Sequence, residues 1–312
     1  VRWVTYDAGE GVRTGILDGE CVRGLAAGTS LAGLLRSGSL DEAGADAVRA
    51  PTEVRPRSEV RLLAPLPRPP SVRDGLCFLD HLRGCYRALG REETLDPVWD
   101  RTPAFYFANA DGIVGPYDDV PVSPGSTMFD LELEVAAVVG RGGRDLHPER
   151  AEAHIAGYTF YNDWTARDHQ LRDMAQGIGM GKSKDSAITL GPALVTADEL
   201  ESRRRDGRLD VEVTATVNGT ELTRGSLAAM DWSFGELLAF VSRGTDLTPG
   251  AVIGSGTVPG GCLLEHVDTA DIAAFAGWLQ PGDVVELGAE ALGGTRQTVR
   301  PAPAMLPLRT GF

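Results

Sequence analysis

Phe129-Asp130-Leu131-Glu132-Leu133-Glu134-Val135-Ala136-Ala137-Val138-Val139-Gly140 is the stretch on which the reading of this chain turns. Acidic and apolar residues alternate in its first half. In an extended strand successive side chains point to opposite faces, so Asp130, Glu132 and Glu134 share one face and Leu131, Leu133 and Val135 the other. Such alternation is commonly a half-exposed strand with an acidic outer surface. Residues 136–139 are apolar on both faces, however, so the same strand is expected to run on into the interior and take its carboxylates with it. Buried like charges need a counter-charge. A hard divalent cation with oxygen ligands, Mg2+ or Ca2+, would supply it.

The rest of the composition fits a folded enzyme-sized chain. At 312 residues, with 42% hydrophobic content, five Trp and nine Phe, the sequence can bury a large core and is not of a disordered type. Its 39 Gly and 19 Pro indicate many turns and favour a strand-rich α+β fold over a helical bundle. A net charge of −14 argues against nucleic acid as a partner, while leaving local binding of a small anion open. The four cysteines, at 21, 77, 85 and 262, form no CxxC pair or dense framework and read as reduced, mostly buried thiols. No apolar run is long enough to span a bilayer and no leader is evident, so no membrane partner is expected and the cytoplasm is the default location.

Residues 1–62 alternate short apolar runs with glycine and charged turns, as in a small β-rich domain, with helices expected over residues 30–36 and 40–49. Residues 63–72 contain Pro65, Pro67, Pro69 and Pro70 and read as a stiff linker, placing a second domain over residues 73–312. A helix is expected over residues 74–90, with Asp74 and His81 two turns apart on one side. A short strand follows over residues 104–108. Farther on, Asp163 offers a third carboxylate for a cation, and Arg167 and Gln170, three apart on one helical turn, can face the same ligand. Asn218-Gly219 signals a hairpin, and residues 233–242 a helix.

Two glycine-rich stretches fall short of nucleotide-binding patterns. Before Lys182 the phosphate-loop pattern needs glycine at position 176, which is Gln176, and Pro259 takes the last glycine's place after Gly254-Ser255-Gly256. Both suit backbone that comes close to a bound ligand. His147, His154, His169 and His266 read as surface or core histidines, and Cys77 and Cys85 as packing residues.

Taken as a set, several motifs are specific. Asp130-x-Glu132-x-Glu134, Asn162-Asp163-x-x-Ala166-Arg167-Asp168-x-Gln170, Gly181-Lys182-Ser183, Leu190-Gly191-Pro192 and Pro249-Gly250-x-x-x-x-Ser255-Gly256-Thr257 closely resemble the fumarylacetoacetate hydrolase family, in order, over most of residues 62–290. The resemblance implies a mixed β-roll catalytic domain, usually dimeric, holding Mg2+ or Ca2+, with Mn2+ also compatible. Position by position, it implies Asp74, Glu132, Glu134 and Asp163 as metal ligands. It also implies His81 as the catalytic base, oriented by Glu265. Arg167, Gln170 and Lys182 match substrate and oxyanion contacts, and Tyr106 and Thr257 match substrate-binding positions. Two departures concern the substrate: Leu76 stands where a tyrosine is usual, and Lys184 where phenylalanine commonly follows Gly-Lys-Ser.

The activity so implied is hydrolysis of a carbon–carbon bond in a 1,3-dicarbonyl of acylpyruvate or fumarylacetoacetate-like type, with His81 activating water. The same residues could instead serve decarboxylation of a 3-oxo acid, hydration of a dienoate or keto-enol isomerisation. A metal-stabilised binding protein without turnover is the alternative outside enzymology.

Overall fold

The computed structural model describes residues 1–268 and 270–309, so the last three residues of the expected catalytic domain lie outside it. Its main feature is a 13-stranded mixed sheet. At the centre, Leu133–Val139 is buried along its whole length. It pairs antiparallel with Ile155–Asp163 on one side and Val252–Gly254 on the other. A strand flanked on both edges and covered on both faces is apolar except where a buried polar group has a use, so after Glu134 the alternation gives way to an apolar run. Val72–Gly75 adds parallel to Val252–Gly254, and Phe105–Ala108 antiparallel to Val72–Gly75.

The N-terminal strands continue this sheet. Arg2–Asp7 pairs with Leu194–Thr196, which in turn pairs with Ile155–Asp163. Val12–Asp18, Cys21–Gly24 and Glu53–Pro56 follow outward in order. A five-stranded sheet, which includes the hairpin Glu212–Val217 and Thr220–Ser226 around Asn218-Gly219, packs its apolar face into the same core. The helix Phe234–Val241 is capped by Ser233, whose side chain accepts from the Glu236 N–H while the Glu236 side chain reaches back. Leu31–Ser37 and Leu40–Arg49 are helical as their spacing indicates. The strand-rich α+β expectation therefore holds. Among the described residues no helix is long and apolar enough to cross a membrane.

Two local expectations need correction. The acidic strand is not continuous: Phe129–Asp130 pairs with Thr165–Ala166, and the long strand starts only at Leu133. Between them the Glu132 N–H donates to the side-chain oxygen of Asn162 instead of to a backbone carbonyl. The residue 74–90 segment is not one helix either. Asp74 belongs to the strand Val72–Gly75, and the helix runs only over Leu79–Ala88, its first N–H held by the Asp231 carboxylate. The seven-residue spacing from Asp74 to His81 thus spans a strand end, a turn and a helix start.

Candidate active site

The sheet register brings the acidic residues together. Glu134 faces Tyr161 across one ladder, Asp163 ends the neighbouring strand, and Asp74 enters from the parallel strand on the far side of Val252–Gly254. One carboxylate oxygen from each of Asp74, Glu132, Glu134 and Asp163 lies within 4.8 Å of the other three. All four are buried. The close approach depends on Gly254, where a Cβ would stand 2.2 Å from Asp74 Oδ1 and 3.2 Å from Glu134 Oε2. Under the cluster, the Phe129 and Trp164 rings stack 5.5 Å apart and fix the chain on either side of Asp130 and Asp163.

Asp130 shares the acidic sequence pattern but does another job. It accepts from the N–H groups of Leu263 and Leu264 at 2.8 and 3.1 Å and from Arg167 Nε at 2.8 Å. It therefore anchors both the 3₁₀ segment that carries Glu265 and the guanidinium that reaches Glu132 Oε1 at 2.8 Å. Gln170, one turn along the helix Arg167–Gln176, accepts from Arg167 at 3.1 Å.

Lys182 and Lys184 exchange their expected places. Lys182 lies at the surface, its side chain 76% exposed and paired with Asp185 at 2.9 Å, so it does not reach the cluster. The turn from Gly181 to Lys184 is fixed by the Asp173 carboxylate, which accepts from the N–H groups of Gly181 and Ser183, and it aims the second lysine inward. Lys184 Nζ is buried 2.5 Å from both Glu132 Oε2 and Asp163 Oδ2, and 3.0 Å from Thr165 Oγ1. The signal for it was present: the chain has only these two lysines among its 30 Lys and Arg. Where arginine is the default cation, the pair marks a place for a compact point charge, and the turn decides which of the two supplies it.

Electrostatics test whether a cation fits. Five buried carboxylates, Asp74, Asp130, Glu132, Glu134 and Asp163, face two buried cations, Arg167 and Lys184. Burial raises the Glu132 carboxyl, but Lys184 and Arg167 outweigh it and bring it down to about 2. The others lack that cover. Burial and the Asp163 charge push Asp74 up to about 7, and burial with the Asp74 charge drives Glu134 well above the usual carboxylate range. Burial also lifts Asp163, in spite of Lys184. Glu134 Oε2 and Asp163 Oδ1 are buried without a hydrogen-bond partner. Under-neutralised, partly orphaned and all-oxygen, this donor set fits a hard divalent cation.

Opposite the cluster, His81 Nδ1 lies 2.6 Å from Glu265 Oε1. Burial pulls the imidazolium down, but hydrogen bonds to Cys262 and Glu265 and the charge of Glu265 outweigh it, so its pKa is pushed up to about 10. Gly84 makes this pair possible: a Cβ there would stand 2.6 Å from Glu265 Oε2. One cavity of about 270 Å3 takes in both halves of the site, lined on one side by Asp74, Glu132, Glu134 and Lys184 and on the other by His81. Trp99, Phe105 and Tyr106 form part of its apolar wall, in the stretch of residues 83–115. Tyr106 donates to Asp163, and Thr257 Oγ1 donates to Glu134 Oε1 at 3.2 Å, so both expected substrate contacts also hold carboxylates.

Comparison with known proteins adds the following. A family model described as "Fumarylacetoacetate (FAA) hydrolase C-terminal" matches residues 71–300. The human protein named oxaloacetate tautomerase FAHD2A, mitochondrial, is 34% identical over 248 residues, 79% of this chain and 72% of its own. A Sphingomonas protein named 2,4-didehydro-3-deoxy-L-rhamnonate hydrolase is 32% identical over 197 residues, 63% of this chain and 65% of its own. Among solved structures, a fumarylacetoacetate hydrolase from Exiguobacterium antarcticum superposes with a TM-score of 0.76 at 28% identity, covering 96% of this chain and 99% of that one.

Proposed function

The chain belongs to the fumarylacetoacetate hydrolase family, and from that premise we propose that it is a divalent-cation-dependent enzyme that hydrolyses a carbon–carbon bond in a small 1,3-dicarbonyl acid, of acylpyruvate or fumarylacetoacetate-like type. The observation that carries the hydrolytic reading is the 2.6 Å pair of His81 and Glu265 facing the carboxylate cluster across one cavity. Isomerisation or decarboxylation of an enolisable acid needs no device for making a nucleophile; a histidine oriented by a buried carboxylate is such a device.

Asp74, Glu132, Glu134 and Asp163 would hold Mg2+ or Ca2+, or Mn2+, which when bound polarises the oxo groups of a dicarbonyl as a Lewis acid. The chain's own residues do the remainder. A divalent charge held by the facing carboxylates would disfavour the imidazolium of the metal-free chain and favour neutral His81, which couples electrostatically to Glu132. In that form, with Nδ1 held by Glu265, His81 takes a proton from water through Nε2, and the hydroxide adds to one carbonyl carbon. Lys184, Arg167 and Gln170 line the cavity, where Lys184 supplies positive charge and Arg167 and Gln170 donate to the oxyanion that forms there. As the carbonyl reforms, the bond to the central carbon breaks and the electron pair goes to that carbon. The imidazolium of His81 then returns its proton to it, giving a carboxylic acid and a ketone or 2-oxo acid. The apolar wall at Trp99 and Phe105 supports an uncharged tail on the acyl side.

Turnover of a small acylpyruvate in 18O-labelled water with Mg2+ tests this reading. One 18O should appear in the carboxylic acid released; an intact substrate would overturn it. A second reading, keto-enol isomerisation of oxaloacetate, is favoured by the names of the human relative and its mammalian counterparts. It would use the same cluster with His81 moving a proton between carbon and oxygen and no water added. A homodimer is part of the proposal, supported by exposed Phe107, Leu171, Met174 and Ile178; sedimentation at micromolar concentration should give twice the chain mass.

A further inference from the structure

On the His81 side of the cavity two thiols, Cys85 and Cys262, take no part in the chemistry above. His81 and Cys85 are four apart in the helix Leu79–Ala88 and so share a face. Cys262, just before the 3₁₀ segment Leu263–His266, comes up against them from the far end of the sequence. Cys85 Sγ is 3.7 Å from His81 Nε2, and Cys262 Sγ is 3.6 Å from Glu265 Oε1. One donor atom from each of His81, Cys85 and Cys262 lies within 4.8 Å of the other two.

The 3.7 Å between Cys85 Sγ and His81 Nε2 is close to a tetrahedral edge, and Cys262 Sγ stands within 4.8 Å of Cys85 Sγ and of a His81 ring nitrogen. With metal–sulfur bonds of about 2.3 Å and metal–nitrogen bonds of about 2.0–2.1 Å, neighbouring donors stand roughly 3.6–3.8 Å apart. Glu265 holds Nδ1 and leaves Nε2 free for a ligand, as where a carboxylate supports a metal-binding histidine from behind, and Cys85 Sγ lies beside the ring, 3.7 Å from Nε2 and 3.9 Å from Nδ1, so that a turn of the Cys85 side chain completes the set. All four cysteines are free thiols, so no disulfide competes for the sulfurs. His81 and Cys85 both line the cavity, which gives an ion a way in and leaves a fourth position open to solvent or substrate.

We propose that His81, Cys85 and Cys262 form a second metal site, of mixed nitrogen and sulfur character, for thiophilic d-block cations of the Zn2+ class. The two sites divide by ligand type: hard cations favour the all-oxygen cluster, while Zn2+ favours imidazole and thiolate. Binding replaces the two thiol protons and the Nε2 proton of the His81 imidazolium by two metal–sulfur bonds and one metal–nitrogen bond and releases the protons to solvent, with no change of oxidation state. Because binding releases protons, occupancy increases as pH rises. Where His81 is the base of the proposed hydrolase, an occupied site takes it out of proton transfer, and zinc becomes an inhibitor that Mg2+ does not displace. That consequence rests on the hydrolytic reading; the binding itself does not.

Co2+ is the probe, added to the full chain kept reduced by a phosphine and saturated with Mg2+. We expect a thiolate-to-cobalt charge-transfer band in the near ultraviolet that saturates at one equivalent and is abolished by added Zn2+. Cys85→Ser, at a partly exposed position, should weaken that affinity at least tenfold with an unchanged circular dichroism spectrum, and Cys262→Ala should do the same. The absence of a band in the wild type, or a band that persists at full strength in Cys85→Ser, would overturn the site. Because the band needs no turnover, its failure is distinguishable from failure of the hydrolytic reading, which shows as intact acylpyruvate in zinc-free assays.

Discussion

Glu265 Oε1 meets His81 Nδ1 at 2.6 Å, across 184 residues of sequence, through a gap that exists because residue 84 is glycine. Three separate parts of the chain are required for this one contact. Asp130 holds the Leu263–His266 segment by its backbone, Asp231 holds the start of the His81 helix, and Gly84 leaves room for the carboxylate.

Gly84→Ala separates positioning from stability. In a helix interior alanine is favoured over glycine by about 1 kcal/mol, so the variant should melt no lower than the wild type if the carboxylate moves aside. The displaced Glu265 should lower kcat at least tenfold. A normal kcat together with an unchanged His81 titration would show that the carboxylate does not orient the imidazole.

Glu265→Gln keeps a polar partner and removes the charge. In metal-free protein the folded pKa of His81, about 10, exceeds the ordinary imidazole value of about 6.5. The stability this confers is complete below about 6.5 and is lost as pH rises through about 10. Thermal unfolding across that window should show the loss in the wild type and a flatter profile in Glu265→Gln. Loss of an oriented base should lower kcat by about 10²-fold or more.

Lys184→Met and Lys182→Met discriminate the two lysines. Lys184 sits between Glu132 and Asp163, so its loss should lower kcat by about 10²–10³, while calorimetry still detects Mg2+ binding. Lys182 forms an exposed pair worth about 0–1 kcal/mol, and its replacement should leave kcat within about twofold. The reverse ranking would return the oxyanion role to Lys182.

Metal removal should make stability pH-dependent. Asp74 titrates near 7 in the folded metal-free chain and near 4 when unfolded, and Glu134 is raised further. The folded state therefore holds extra protons, and stability falls as pH rises from about 4 through about 7. Excess Mg2+ should flatten that slope and raise the melting temperature, by about 2.7 kcal/mol of stability at a hundredfold excess over Kd. Identical melting profiles with and without Mg2+ at pH 8 would argue against a cation in the cluster.

The sequence was most legible where chemistry and local pattern coincide. Glu132, Glu134 and Asp163 stand out because carboxylates interrupt runs that are otherwise core, and Arg167 and Gln170 because helical spacing places them together. The strand break at residues 131–132 was hidden, since it arises from the Asn162 side chain capturing a backbone N–H thirty residues away. Asp74 was read into a helix because nothing local marks a parallel strand that pairs with residues 252–254. Lys184 was passed over for the same reason: a turn fixed by Asp173 decides which of two neighbouring lysines faces inward. The thiol pair beside His81 joins residues 85 and 262, and no spacing in the chain announces it.

The most direct measurement is turnover of a small acylpyruvate with Mg2+ by wild type and His81→Ala, following carbon–carbon cleavage and enol-to-keto conversion in the same reaction. Cleavage by the wild type that is lost in His81→Ala, with Mg2+ binding retained, is the result we expect. Ketonisation of oxaloacetate by a wild type that leaves acylpyruvate intact would contradict the hydrolytic assignment, leaving the carboxylate cluster to serve an isomerase.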